Sequence, residues 1–125
     1  MTFQNISTII ALVFFTLCLT LIFAPDVLYW LFQIDQEPSA DFLAKRAGML
    51  FLGLSVICFL ARKTTNPEVI SFVCAGVSTA MLGLAVLGIY ELIYGIAGYG
   101  ILVAILTECI IGAALFRVWK QAETI

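Results

Sequence analysis

The stretch VISFVCAGVSTAMLGLAVLGIY, residues 69–90, runs uncharged between Glu68 and Glu91. As a helix it reaches about 33 Å at 1.5 Å per residue, enough to cross the roughly 30 Å hydrocarbon layer of a bilayer. A helix at a water interface keeps one polar face, whereas this segment is apolar all round. It is read as a membrane span. Three further uncharged runs repeat the pattern: Met1–Pro25, Ala47–Ala61 and Leu92–Thr107. Hydrophobic residues make up 63% of the 125-residue chain, above the roughly 45–50% of soluble domains, and the mean hydropathy is +1.14. The expectation is an all-α integral membrane protein. It would form one domain over residues 1–125, an up-down four-helix bundle with spans at about 6–24, 41–61, 69–90 and 99–118.

The segments between the spans refine this reading. The first run lacks a basic leader and is longer than a signal-peptide core, so it is taken as a retained span ended by Pro25. Residues 25–34 are too short to span and too apolar for a solvated loop. They suit a short helix lying along the interface or tucked over the bundle, with Asp26 as cap and Tyr29 and Trp30 at headgroup level. An acidic stretch follows, with Asp35, Glu37 and Asp41 around Pro38. The run Ala47–Ala61 covers only about 22 Å, and Arg62-Lys63 closes its far end. The second span must therefore extend back through Arg46 and Lys45 to about Asp41, which puts Arg46 below the membrane surface. Residues 91–100, with Tyr94, Gly95, Gly98, Tyr99 and Gly100, suit a turn near the headgroups.

Composition removes most enzymatic chemistry. Histidine is absent, and with it the commonest general base and metal ligand. Cys18, Cys58, Cys74 and Cys109 each lie in a different apolar run, so no redox or zinc spacing exists, and they read as small packing residues. The chain is not expected to be an enzyme or to carry a cofactor or metal. A net charge of −2 without a basic patch gives no basis for nucleic-acid binding. Arg62, Lys63, Arg117 and Lys120 share one side with the N-terminus, against Lys45 and Arg46 on the other. This asymmetry places both termini in the cytoplasm.

Glu108 lies near the middle of the fourth span. A charge there costs about 2.5–3.5 kcal/mol on insertion scales, offset by Ile, Leu, Val and Phe residues at about −0.3 to −0.6 kcal/mol each. The span still inserts, and the glutamate needs an explanation. Gly100, Ala104 and Gly112 stand at four-residue spacing from it, a small-residue stripe that lets another helix approach. The third span offers Ser71, Ala75, Thr79 and Gly83, or Gly76, Ala80 and Gly88, as matching surfaces. Glu108 should face the bundle. Its candidate partners are a hydroxyl (Thr79 or Ser78) or Arg46, about 4 Å of rise away along the bundle axis. Arg46 could instead reach Asp41, Glu37 or Glu91 at the surface. Glu108, Arg46, Thr79 and Glu91 are the candidate polar site.

Three short motifs resemble the DUF4345 family of small four-helix bacterial membrane proteins, within the wider DoxX-like set. They are Phe23-Ala24-Pro25-Asp26 leaving the first span, Arg46-Ala47-Gly48 with Gly53 in the second, and Thr107-Glu108 in the fourth. The resemblance implies an up-down bundle in the bacterial inner membrane, with Arg46 and Glu108 as matching polar positions, and implies no particular activity. Small multidrug transporters, similar in size, place their key glutamate in a first helix that here has no charge.

Two functions fit these residues. One is a structural, accessory or interaction protein, in contact with membrane lipids and forming a homo-oligomer or part of a larger membrane complex. The other is a small transporter or binding protein for a proton, cation or lipophilic molecule, using Glu108 and Arg46 within the bundle.

Overall fold

The computed structural model describes residues 2–124. These form five helices and no strand: α1 (Phe3–Phe23), α2 (Pro25–Phe32), α3 (Pro38–Ala61), α4 (Pro67–Ile93) and α5 (Ile101–Glu123). Four are long and apolar enough to cross a membrane. Their outer faces present Leu12, Leu50, Leu60, Phe72, Val86, Leu106 and Ile110, each more than 60% exposed. Water would not tolerate so much continuous apolar surface. The chain is an integral membrane protein built as an up-down four-span bundle.

Proline and polar caps set the helix ends. Thr2 Oγ1 accepts the Asn5 amide at the start of α1. Pro25, Pro38 and Pro67 open α2, α3 and α4, where their fixed φ suits the first turn and no amide is needed. Asn66 caps α4 by accepting the Glu68 amide at 2.9 Å. The cap of α2 is Ala24, and Asp26, expected to cap it, stands inside the first turn. As expected, α3 carries Asp41, Lys45 and Arg46 within the helix. Its start at Pro38 gives the span the length that Ala47–Ala61 alone lacks.

The four spans form two antiparallel pairs, α1 with α3 and α4 with α5, which meet each other far less closely. Between α1 and α3, Ser7 Oγ donates to the Cys58 carbonyl and Ser55 Oγ donates to the Ala11 carbonyl at 2.7 Å. Gly48 closes the same seam, since a Cβ there would lie 2.9 Å from Ile22 Cγ1 and 3.3 Å from the Cys18 carbonyl. Between α4 and α5 the close approach falls at Gly88, facing Ile105, and at Gly112, facing Leu82. Of the two α4 stripes expected to make this contact, Gly88 of the second takes part, whereas Thr79 and Gly83 of the first are exposed and a Cβ at Gly76 or Gly83 would meet nothing within 4 Å. Its buried seam is Cys74, Val77, Ser78, Met81, Ala85 and Gly88. Where the two pairs do meet, Phe14, Cys58, Cys74, Val77, Met81 and Leu115 form one apolar cluster.

The short helix α2 is tucked over one end of the bundle. Its last turn is closed by Gln33 in the left-handed region, φ 55°. The Phe32 carbonyl accepts the Gly98 amide at 2.7 Å, tying α2 to the α4–α5 turn. Gly100, expected in the helix-packing stripe, instead provides room for the Leu31 carbonyl. That end of the molecule carries Asp26, Asp35, Glu37, Asp41 and Glu91 with Lys45 and Arg46. The opposite end carries Arg62, Lys63, Arg117 and Lys120 with Glu68 and Glu123.

Candidate functional site: a cavity between the helix pairs

Two tightly closed pairs that meet only in part leave space between them. A cavity of about 360 Å³ lies there, lined by residues of all five helices. α1 contributes Phe14 and Leu17, α2 contributes Leu28 and Leu31, α3 contributes Ala47 and Phe51, and α4 contributes Met81 and Leu84. The α5 wall holds Val103, Ala104, Thr107, Glu108 and Ile111. The volume lies within the range of small-ligand sites, which are mostly apolar with few polar groups. Val103 is 57% exposed although it lines the cavity, so this wall opens sideways, toward the acyl chains in a bilayer.

Glu108 reaches the cavity through the register of α5. The buried residues Ile101, Ile105, Gly112 and Leu115 mark its inward seam. Position 108 completes that seam at steps of three and four residues, which share one helix face. Glu108 is half-buried and, among the described residues, makes no hydrogen bond or ion pair. Thr107 beside it donates its hydroxyl to the Val103 carbonyl at 2.9 Å. Glu108 is the one ionisable group lining the cavity.

The other candidate residues do not join it. Arg46 is exposed, with its guanidinium 5.7 Å from the Phe42 ring centroid. The reason lies in α3, whose buried positions include Ala44 and Gly48. At about 100° per residue, position 46 falls roughly 200° from either and points away from α1. Among the described residues the one ion pair is Lys120–Glu123, so Arg46 pairs with neither Glu108 nor Asp41, Glu37 or Glu91. Thr79 is exposed, donates to the Ala75 carbonyl at 2.7 Å and lines a separate groove between α3 and α4. Ser78 also turns to the Ala75 carbonyl. Glu91 stands in the last turn of α4, where its backbone carbonyl accepts the Ile96 and Ala97 amides and closes the turn.

At the acidic end, α2 forms the roof of the cavity through Leu28, Leu31 and Phe32. Tyr29 turns the other way and is buried, 7% exposed. Its hydroxyl and Asp41 Oδ1 both lack a well-formed hydrogen-bond partner, although the phenol lies beside the Asp41 carboxylate. Burial, reinforced by that neighbouring carboxylate, pushes the Tyr29 phenol above its ordinary value. The contact joins α2 to the first turn of α3.

Several residues that shape the site carry little signal in the sequence. Ser7 and Ser55 read as ordinary small residues, yet they fix the α1–α3 register. Their signal is spacing: Ser7, Ala11 and Cys18 on one helix, and Ala44, Gly48 and Ser55 on the other, are small residues at helical repeats. Of the four cysteines, Cys18, Cys58 and Cys74 are buried and Cys109 is exposed, all as free thiols.

The chain matches no protein-family model, no curated protein and no solved structure.

Proposed function

We propose that this membrane protein binds a small lipophilic molecule in the cavity between its helix pairs, with Glu108 as the polar anchor. The observation that carries the reading is a carboxylate with no partner among the described residues, facing an apolar cavity that opens sideways. A polar side chain placed in a membrane to fix helix packing finds a hydrogen-bond partner on a neighbouring helix. Ser7 and Ser55 do so; Glu108 does not. Arg46 has no part in this site, and the role is binding or transport rather than catalysis.

The test uses butylbenzene as probe and protein labelled at alanine methyls in phosphatidylcholine nanodiscs. Ala47 and Ala104 line the cavity, whereas Ala122 lies near the C-terminal end of α5. Saturable shifts of Ala47 and Ala104 without Ala122 are expected, and Ala104→Phe should abolish the shift at Ala47. Uniform, non-saturating shifts would mean that the probe only dissolves in lipid, and the reading would fall.

The setting follows from the charges at the two ends. The end with Arg62, Lys63, Arg117 and Lys120 is placed in the cytoplasm, and the roof helix α2 on the far side. The resemblance to DUF4345 and DoxX-like proteins of the bacterial inner membrane agrees with this reading, since Ala47, Thr107 and Glu108 of its motifs all line the cavity.

A second reading has its own observation. Gly76 and Gly83 on the outer face of α4 have open space around them, which suits an accessory protein or a self-associating bundle. Gly83→Leu would dissociate an assembly formed through this face, read by cross-linking in native membranes, and would leave a monomeric bundle unchanged.

A further inference from the structure

The polar atoms facing the cavity are of one kind. Thr107 spends its only hydrogen on the Val103 carbonyl, so its oxygen can only accept. The carboxylate of Glu108 accepts at both oxygens. The α5 amides along this wall are committed to helical hydrogen bonds, and the remaining wall is hydrocarbon, phenyl rings and the Met81 thioether, a weak acceptor. A ligand that fills this space meets acceptors and one acid group whose proton a basic ligand can take, and it meets no cation.

From this, and resting on the cavity reading above, we infer that the ligand is a compact lipophilic amine, bound as its ammonium ion with the nitrogen at Glu108 and Thr107. An ammonium brings the donors and the positive charge that the site lacks. No side chain competes for the carboxylate. Arg46 and Lys45 are exposed on α3, and the remaining cations stand at the opposite end of the bundle. Phe14 and Phe51, whose ring centroids are 5.6 Å apart, line the same space and offer the electron-rich faces that attract organic cations. Size limits the class further. At roughly 30 Å³ for each water-sized unit, the cavity of about 360 Å³ takes about a dozen non-hydrogen atoms. The sideways opening at Val103 lets such a molecule enter from the bilayer in which it dissolves.

Three probes of similar shape test the class by the saturable Ala104 methyl shift in phosphatidylcholine nanodiscs: 3-phenylpropylammonium, butylbenzene and benzylacetone. The ammonium should bind the native protein about ten- to a hundredfold tighter than the other two, the weight of one charge-assisted hydrogen bond. Glu108→Gln should remove that preference. Butylbenzene or benzylacetone binding as tightly as the ammonium to the native protein overturns the amine class while the cavity reading stands. This comparison needs no variant, so a misfolded Glu108→Gln does not blunt it. Failure of all three probes to saturate overturns both.

Discussion

Replacing Gly100 by alanine should lift α2 off the bundle while leaving the four spans folded. Gly100 has φ −59° and ψ −22°, a conformation that alanine adopts freely, so this position needs glycine for space rather than for backbone freedom. A Cβ here would collide with the Leu31 carbonyl oxygen and lie 2.8 Å from the Leu31 carbonyl carbon. Carbon atoms settle at about 3.5–4.0 Å, so α2 must withdraw by roughly 1 Å. A side-chain tip could rotate aside; a helix backbone cannot. That withdrawal carries the 2.7 Å bond from the Gly98 amide to the Phe32 carbonyl to about 3.7 Å, beyond hydrogen-bonding range. The loss weakens α2 docking by about 1–3 kcal/mol, which corresponds to roughly 5- to 150-fold faster exchange of the Gly98 amide. Hydrogen exchange followed by NMR measures this directly, with amides around Ser55 as the internal reference for an intact α1–α3 pair. Gly53→Ala is the control, because nothing lies within 4 Å of a Cβ there. A Gly98 amide as protected in Gly100→Ala as in the native protein would refute the docking geometry.

Ser7→Ala and Ser55→Ala each remove a hydroxyl that bonds a backbone carbonyl across α1 and α3. Each should cost about 0.6 kcal/mol and at most about 1.7, read from unfolding in mixed micelles; no loss in either variant would show that the bonds do not hold the pair. Gly88→Ala places a Cβ 2.8 Å from Ile105 Cγ1, a flexible contact, so strain of about 1–3 kcal/mol is partly offset by the helix propensity of alanine. Gly76→Ala, with open space, should be neutral or stabilising in the same assay, and an equal effect of the two would contradict the α4–α5 register. The Tyr29 phenol is held above its ordinary value by burial and by Asp41. A raised folded-state value favours the folded state below the unfolded value of about 10. Docking of α2 should therefore be constant through neutral pH and fall as pH rises above that value. Ultraviolet absorbance of tyrosinate, compared with Tyr29→Phe, tests this: the variant should lose the tyrosine that ionises at the highest pH.

What could be read from sequence follows from the range of each interaction. The four spans are written in uncharged runs, because crossing a bilayer is a demand on each segment by itself. The break at Pro25 and the short helix behind it are equally local. The inward orientation of Glu108 was legible from the small residues around it, although Gly100 proved to serve α2 and the seam runs through Ile101, Ile105, Gly112 and Leu115. For Arg46 the sequence leaves two directions open, because depth is not direction. Its level along the axis allowed a pair with Glu108, but Gly48 packs on α1 and rotates position 46 away. The partition into two pairs depends on which seams close, and that depends on Ser7, Ser55, Gly48, Gly88 and Gly112 acting across helices. No single segment records it.

That partition also explains why a cavity persists at Glu108. Within each pair, small residues bring two backbones together. Between the pairs, the half toward the basic end is filled by Phe14, Cys58, Cys74, Val77, Met81 and Leu115. Toward the acidic end the filling is left to α2, an eight-residue helix that roofs the space without entering it. A void lined only by hydrocarbon would invite a larger side chain at Ala47 or Ala104, since unfilled volume costs about 24 cal/mol per Å³ in protein interiors. Both positions are alanine, and Glu108 of α5 faces the same void. A charge at a span centre and an unfilled volume each weaken a bundle on its own, at about 2.5–3.5 kcal/mol for the charge alone. Their coincidence at one place, with no internal counter-charge among the described residues, is what a site for an external cation requires and what a purely structural scaffold does not.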